Sequence, residues 1–112
     1  MIIHKNLASG RWFKFSFLEQ LANVGTDISR CIRLKNKGDL EMSNDAFYRA
    51  LELLDFTIAD PKNKGPRLRE LLRVREALID HFLCDNEYNT TDEQWHTYFF
   101  DFNYAAALAK GK

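Results

Sequence analysis

The sequence predicts an all-α protein, an up-down-up-down four-helix bundle with an N-terminal arm or short extra helix. Three observations carry that expectation. Apolar residues recur at three- and four-residue steps in four separate segments, helix-start signals stand before them, and no segment alternates with the period of two that a strand requires. A chain of 112 residues fits one domain, so residues 1–112 are expected to form a single bundle, with 1–15 as the arm and 110–112 as a frayed tail.

Ser16-Phe17-Leu18-Glu19 is a capping box, in which serine and glutamate side chains satisfy backbone donors of the first turn. Helix one starts there, carries Leu18, Leu21, Gly25, Ile28 and Ile32 on one face, and stops at Gly38. A second helix, from about Met42 to Asp60, places Phe47, Ala50, Leu51, Leu54 and Ile58 together before Pro61 removes a backbone donor. Pro66 is pre-set for the first turn of helix three, whose inward residues are expected to be Leu68, Leu71, Leu72, Leu78, Ile79 and Phe82. Thr91-Asp92-Glu93-Gln94 is a second capping box and opens helix four, with Trp95, Tyr98, Phe99, Phe102 and Ala106 inward. Short loops between helices of this length favour antiparallel neighbours. In the first fifteen residues, Gly10 interrupts a stretch in which Trp12, Phe13 and Phe15 are too apolar for water, which predicts an arm packed on the bundle.

Composition limits the function. Hydrophobic residues at 46% and charged residues at 29% place the chain among ordinary globular proteins. The 16 basic and 16 acidic residues cancel, so an electrostatic partner must read a local patch. Cys31 and Cys84 lack metal-ligand spacing and fall in apolar helical surroundings; both are expected to be buried free thiols, which suggests a reducing compartment. No apolar run is long enough to cross a bilayer and no signal peptide is evident, so the expected location is cytoplasmic and no membrane partner is expected. Asn89-Thr90-Thr91 reads as an exposed polar turn rather than a glycosylation site. There is no paired Glu-x-x-His, no phosphate-cradling glycine loop and no Cys-x-x-Cys; neither a cofactor nor a metal is expected.

Three features break the helical pattern. At about 100° per residue, Arg75 falls near the middle of the apolar arc of helix three. A guanidinium there keeps its proton and needs a carboxylate, carbonyls or an anionic ligand, with Asp27, Glu52 and Asp55 as candidate partners. Helix four carries Phe100, Tyr104 and Ala107 opposite Trp95 and Phe102, more apolar surface than one core can take. Either the arm with Trp12 and Phe13 covers that second face, or a second copy or partner protein does. Finally, the bundle topology gathers Arg11, Lys14, Lys62, Lys64, Arg67, Arg69, Lys110 and Lys112 at one end, where an acidic partner or a nucleic acid can dock beside the N-terminus of helix three.

His81 lies six residues after Arg75, and Arg75-Glu76-Ala77-Leu78-Ile79-Asp80-His81 resembles the Arg-x(4–6)-His motif of the HEPN superfamily. That resemblance implies a small helical bundle in which Arg75 stabilises phosphate charge and His81 moves protons, as in a HEPN-like ribonuclease or a toxin-antitoxin component. On a straight helix the two side chains stand roughly 120° apart, so a shared site requires a kink near Asp80 or a second subunit. Glu19-Gln20-Leu21-Ala22-Asn23-Val24-Gly25, Ala50-Leu51-Glu52-Leu53-Leu54-Asp55, Leu68-Arg69-Glu70-Leu71-Leu72 and Tyr88-Asn89-Thr90-Thr91-Asp92 resemble a group of short, uncharacterised prokaryotic helical proteins; that likeness implies the fold and no activity. The expected function is therefore a non-enzymatic binding or scaffolding bundle that self-associates or holds a protein through helix four. A HEPN-like nuclease using Arg75 and His81, and a small-molecule binder with a pocket beside Gly25 and Arg75, are the alternatives.

Overall fold

The computed structural model describes residues 10–110. It contains a short 3-10 turn, Arg11–Lys14, and four helices: α1 (Phe17–Asn36), α2 (Leu40–Ala59), α3 (Pro66–Leu83) and α4 (Asp92–Lys110). The protein is an all-α four-helix bundle. The tail beyond Lys110 and residues 1–9 of the arm lie outside the described residues.

The helix ends follow from local chemistry. Ser16 Oγ accepts from Glu19 N–H while the Glu19 carboxylate accepts from Ser16 N–H, closing the capping box. Thr91 and Gln94 do the same at the start of α4. Asp39 caps α2 by accepting from Met42 N–H, which starts that helix slightly earlier than Met42. Between α1 and α2 the chain reverses at Gly38, whose φ of 85° a β-carbon would resist.

Pairs of side chains fix the helix directions. Cys31 meets Ser43 at one end of α1 and α2, and Gln20 meets Asp60 at the other, so these two run antiparallel. Lys35 reaches Asp92 and Lys110 reaches Glu19, which sets α4 antiparallel to α1. Tyr98–Glu70 and His81–Asp92 do the same for α3 and α4. Helix α1 is the central element, packed along α2 on one side and α4 on the other, while α3 lies on α2.

The core is built from Leu21, Val24, Ile28 and Ile32 of α1, Phe47, Ala50, Leu53 and Leu54 of α2, Leu71, Val74 and Leu78 of α3, and Trp95 and Phe99 of α4. Gly25 permits a close crossing of α1 and α4, because a β-carbon at that position would lie 2.5 Å from Phe99 Cβ. One end of the core is polar and fully enclosed. Trp12 Nε1 donates to Thr57 Oγ1 at 2.9 Å, and Gln20 Nε2 donates to Trp12 O at 3.1 Å and to Asp60 Oδ2 at 2.8 Å. Asn63 Nδ2 donates to Gln20 Oε1 and to Thr57 O. These bonds hold the 3-10 turn against α1 and α2, where it buries Trp12.

Two expectations are corrected here. Arg75 is not in the buried seam: that seam in α3 is Leu71, Val74 and Leu78, and Leu72 is exposed. Because α3 rests chiefly on α2, its buried stripe is narrow, and Arg75 stands at its solvent edge. Cys84 is exposed rather than buried, since α3 ends at Leu83 and leaves the thiol at its C-cap; Cys31 is buried as expected.

Candidate functional site

The outer face of α4 carries Phe100, Tyr104 and Leu108 at successive helical turns, with relative exposures of 62%, 58% and 54%. The Phe100 and Tyr104 rings lie nearly parallel, centroids 6.3 Å apart and planes inclined by 20°, so they stack as a pair one helical turn apart. The opposite face of the same helix is committed to the core through Trp95, Phe99 and Ala106. Leu108 was not singled out in the sequence, although its position one turn beyond Tyr104 was the available signal.

The described part of the arm does not cover this face. Trp12 is held by Thr57 and Gln20 on the α1–α2 side, and Phe13 is itself exposed. Beside the aromatic pair runs a groove between α1 and α4 of about 500 Å³, bordered by Gly25, Ser29, His96, Phe100 and Asn103. It continues towards Arg30 and Arg33 in one direction and towards Ala106 and Lys110 in the other. Gly25 thus lines a groove as the small-molecule alternative required, but Arg75 is not among the residues that border it.

Arg75 and His81 have separate partners. Arg75 Nε donates to Asp55 Oδ1 at 2.7 Å, one of the three carboxylates anticipated for it, in a pair whose side chains are 37% and 51% exposed. His81, with a side chain only 7% exposed, lies against α4: Nε2 is 2.8 Å from Asp92 Oδ1 and Nδ1 is 2.9 Å from Thr90 Oγ1. The fold therefore does not bring the two residues to one site within the chain.

A carboxylate, an imidazole and a hydroxyl in this order can in principle activate a nucleophile. Thr90 Oγ1 is already engaged, however, accepting from Trp95 Nε1 at 3.2 Å and lying 3.3 Å from Asn86 Oδ1. What the arrangement does is tie the α3–α4 connection to the first turn of α4. Burial works against ionisation of Asp92, but hydrogen bonds from Lys35 and His81 outweigh it and hold its pKa below the usual carboxylate value. Burial pushes the Cys31 thiol up, which makes it an inert core residue rather than a nucleophile.

The antiparallel order brings Lys62, Lys64, Arg67, Arg69 and Lys110 towards one end, and these cations differ in availability. Lys62 pairs with Asp60 and donates to Phe13 O at 3.2 Å, so it is a structural strap across the 3-10 turn. Arg67 lies over the Phe17 ring at 4.8 Å, and Lys110 is 3.4 Å from Glu19. Lys64 and Arg69 are exposed at the start of α3, where Gly65 provides no side-chain cap. Lys112 lies outside the described residues. Among the described residues, no group of His, Cys, Asp and Glu could hold a metal, and no helix is long and apolar enough to cross a membrane.

No protein-family model, curated protein or solved structure matches the chain.

Proposed function

We propose that the protein is a non-enzymatic binding module that acts through the outer face of α4, by self-association or by holding a partner protein. The observation that carries this reading is the Phe100–Tyr104–Leu108 stripe, three large apolar side chains at one-turn spacing on a helix whose other face is already in the core. Contiguous exposed apolar surface of this kind marks a protein-protein site, and exposed aromatics are the residues such sites favour. The separate engagement of Arg75 and His81 supports a binding role over a nuclease. The unpaired thiols support a reducing compartment such as the cytoplasm.

The test is capture from native lysate on immobilised wild-type protein and on the Phe100→Ser/Tyr104→Ser double variant, with and without nuclease treatment. The reading expects a protein, either this chain or another, that is retained by the wild type, lost with the double variant and indifferent to nuclease. Equal retention by both proteins, or retention that disappears with nuclease, overturns it.

A further inference from the structure

We infer that the occupant of the α4 face is a second copy of this chain, packed antiparallel across a two-fold axis that passes between Phe100 and Tyr104. The inference rests on the binding role proposed for α4 and specifies its partner. It follows from how charge and rings are distributed along one helix. Asp92 and Glu93 lie in the first turn of α4 and Lys110 in its last; Asp92 is engaged by Lys35 and His81, which leaves Glu93 as the acidic charge at one end and Lys110 as the basic charge at the other. A parallel pair would set like charges side by side. An antiparallel pair sets Glu93 beside the partner's Lys110 at both ends and opposes the two helix dipoles.

The rings fit the same register. Phe100 and Tyr104 are one turn apart, so a crossing centred between them places each Phe100 against the partner's Tyr104 and gathers four rings at the middle of the interface. Glu93 is two turns before Phe100 and lies on the same face, while Lys110 stands on its flank with a side chain that is 73% exposed; its 3.4 Å contact with Glu19 leaves it able to reach across. Such an interface is self-complementary, so it closes at two copies instead of propagating. Helix α4 is about 28 Å long at 1.5 Å per residue, and one helix face buries less than the roughly 800 Å² per partner of a standard interface. An interface of this size belongs with the weaker associations, so concentrations from micromolar to millimolar are needed to populate the dimer.

Sedimentation velocity over the micromolar to millimolar range tests this directly, with charge reversal to read the register. The wild type is expected to shift from monomer to dimer with no larger species. Glu93→Lys and Lys110→Glu should each weaken the dimer by about threefold to tenfold at low salt. The double variant Glu93→Lys/Lys110→Glu should regain most of the wild-type affinity, because the exchanged charges again oppose each other. An equimolar mixture of the two single variants should associate better than either alone, and high salt should erase these differences. A wild type that stays monomeric across the range overturns the inference, and capture of a different protein dependent on Phe100 and Tyr104 would then leave the α4 binding role standing. A dimer that is indifferent to the single reversals, or that the double variant fails to restore, overturns the antiparallel register.

Discussion

Replacing Gly25 by alanine probes the close approach of α1 to α4. The new methyl would stand 2.5 Å from Phe99 Cβ and 2.9 Å from Phe99 Cγ, against an optimal carbon-carbon distance of about 3.5–4.0 Å. Phe99 Cβ is fixed by its backbone, so no change of rotamer relieves the overlap. Helices α1 and α4 must part by about 1 Å at the crossing, which thins the packing of Trp95 and Phe99 against α1. Overpacking of this kind costs about 1–3 kcal/mol, and the severity of the overlap favours the upper end. Substituting a mid-helix glycine by alanine recovers about 1 kcal/mol through backbone entropy.

The net expectation is a loss of about 2 kcal/mol, which for a domain of this size lowers Tm by about 8 °C. Urea unfolding followed by far-ultraviolet circular dichroism measures the first quantity and a thermal scan the second. A variant as stable as wild type, or more stable, would show that helix propensity outweighs the crossing, and the proposed role of Gly25 in setting the α1–α4 distance would be wrong.

Other substitutions test the corrected view of the core. Thr57→Val removes the acceptor of the buried Trp12 indole N–H and should cost about 1–3 kcal/mol in urea unfolding; adding Trp12→Phe to that variant should cost less than adding it to wild type, because the unpaired donor is gone. Arg75→Ala should cost under about 1 kcal/mol, since its pair with Asp55 is solvent-exposed, whereas Val74→Ala in the α3 seam should cost about 2 kcal/mol; the opposite order would return Arg75 to the core. Acid should unfold the protein for a stated reason. Burial opposes ionisation of Asp60, but hydrogen bonds from Lys62 and Gln20 win and lower its pKa, as Lys35 and His81 do for Asp92. A lowered folded pKa means that the unfolded chain binds more protons, so this stabilisation is present above the ordinary aspartate value of about 3.9 and is lost as pH falls through the folded values. Asp60→Asn should flatten the decline in urea midpoint below about pH 4 relative to wild type.

What was legible in the sequence depended on the range of the chemistry involved. Capping boxes at Ser16–Glu19 and Thr91–Gln94 act over three residues, and both form as read. Helical periodicity reports that a face is apolar but not how wide a stripe its neighbours bury. In α3 the apolar residues from Leu68 to Phe82 span a broad arc whose middle is Arg75, while contact mainly with α2 buries only Leu71, Val74 and Leu78. The edge of an apolar arc and its centre look alike until the packing partner is known. Gly25 carried the same ambiguity, because its need for glycine is set by Phe99, seventy-four residues away. The enclosed network of Trp12, Gln20, Thr57, Asp60 and Asn63 joins three stretches of chain, none of which shows a local motif for it.

The outer face of α4 was legible for the opposite reason. One helix cannot turn Trp95, Phe99 and Ala106 and also Phe100 and Tyr104 towards a single core, because the two sets lie on opposite sides of it. Sequence alone therefore demanded a second apolar surface and offered two ways to cover it, the arm or another molecule. The polar network holds the described part of the arm elsewhere. Trp12 could reach α4 only by giving up its bond to Thr57, and Gln20 would lose the backbone carbonyl that it holds beside Asp60. Buried donors and acceptors would then stand unpaired, at a cost of about 1–3 kcal/mol each. The same side chains that anchor the described part of the arm to α1 and α2 thus keep it away from Phe100 and Tyr104.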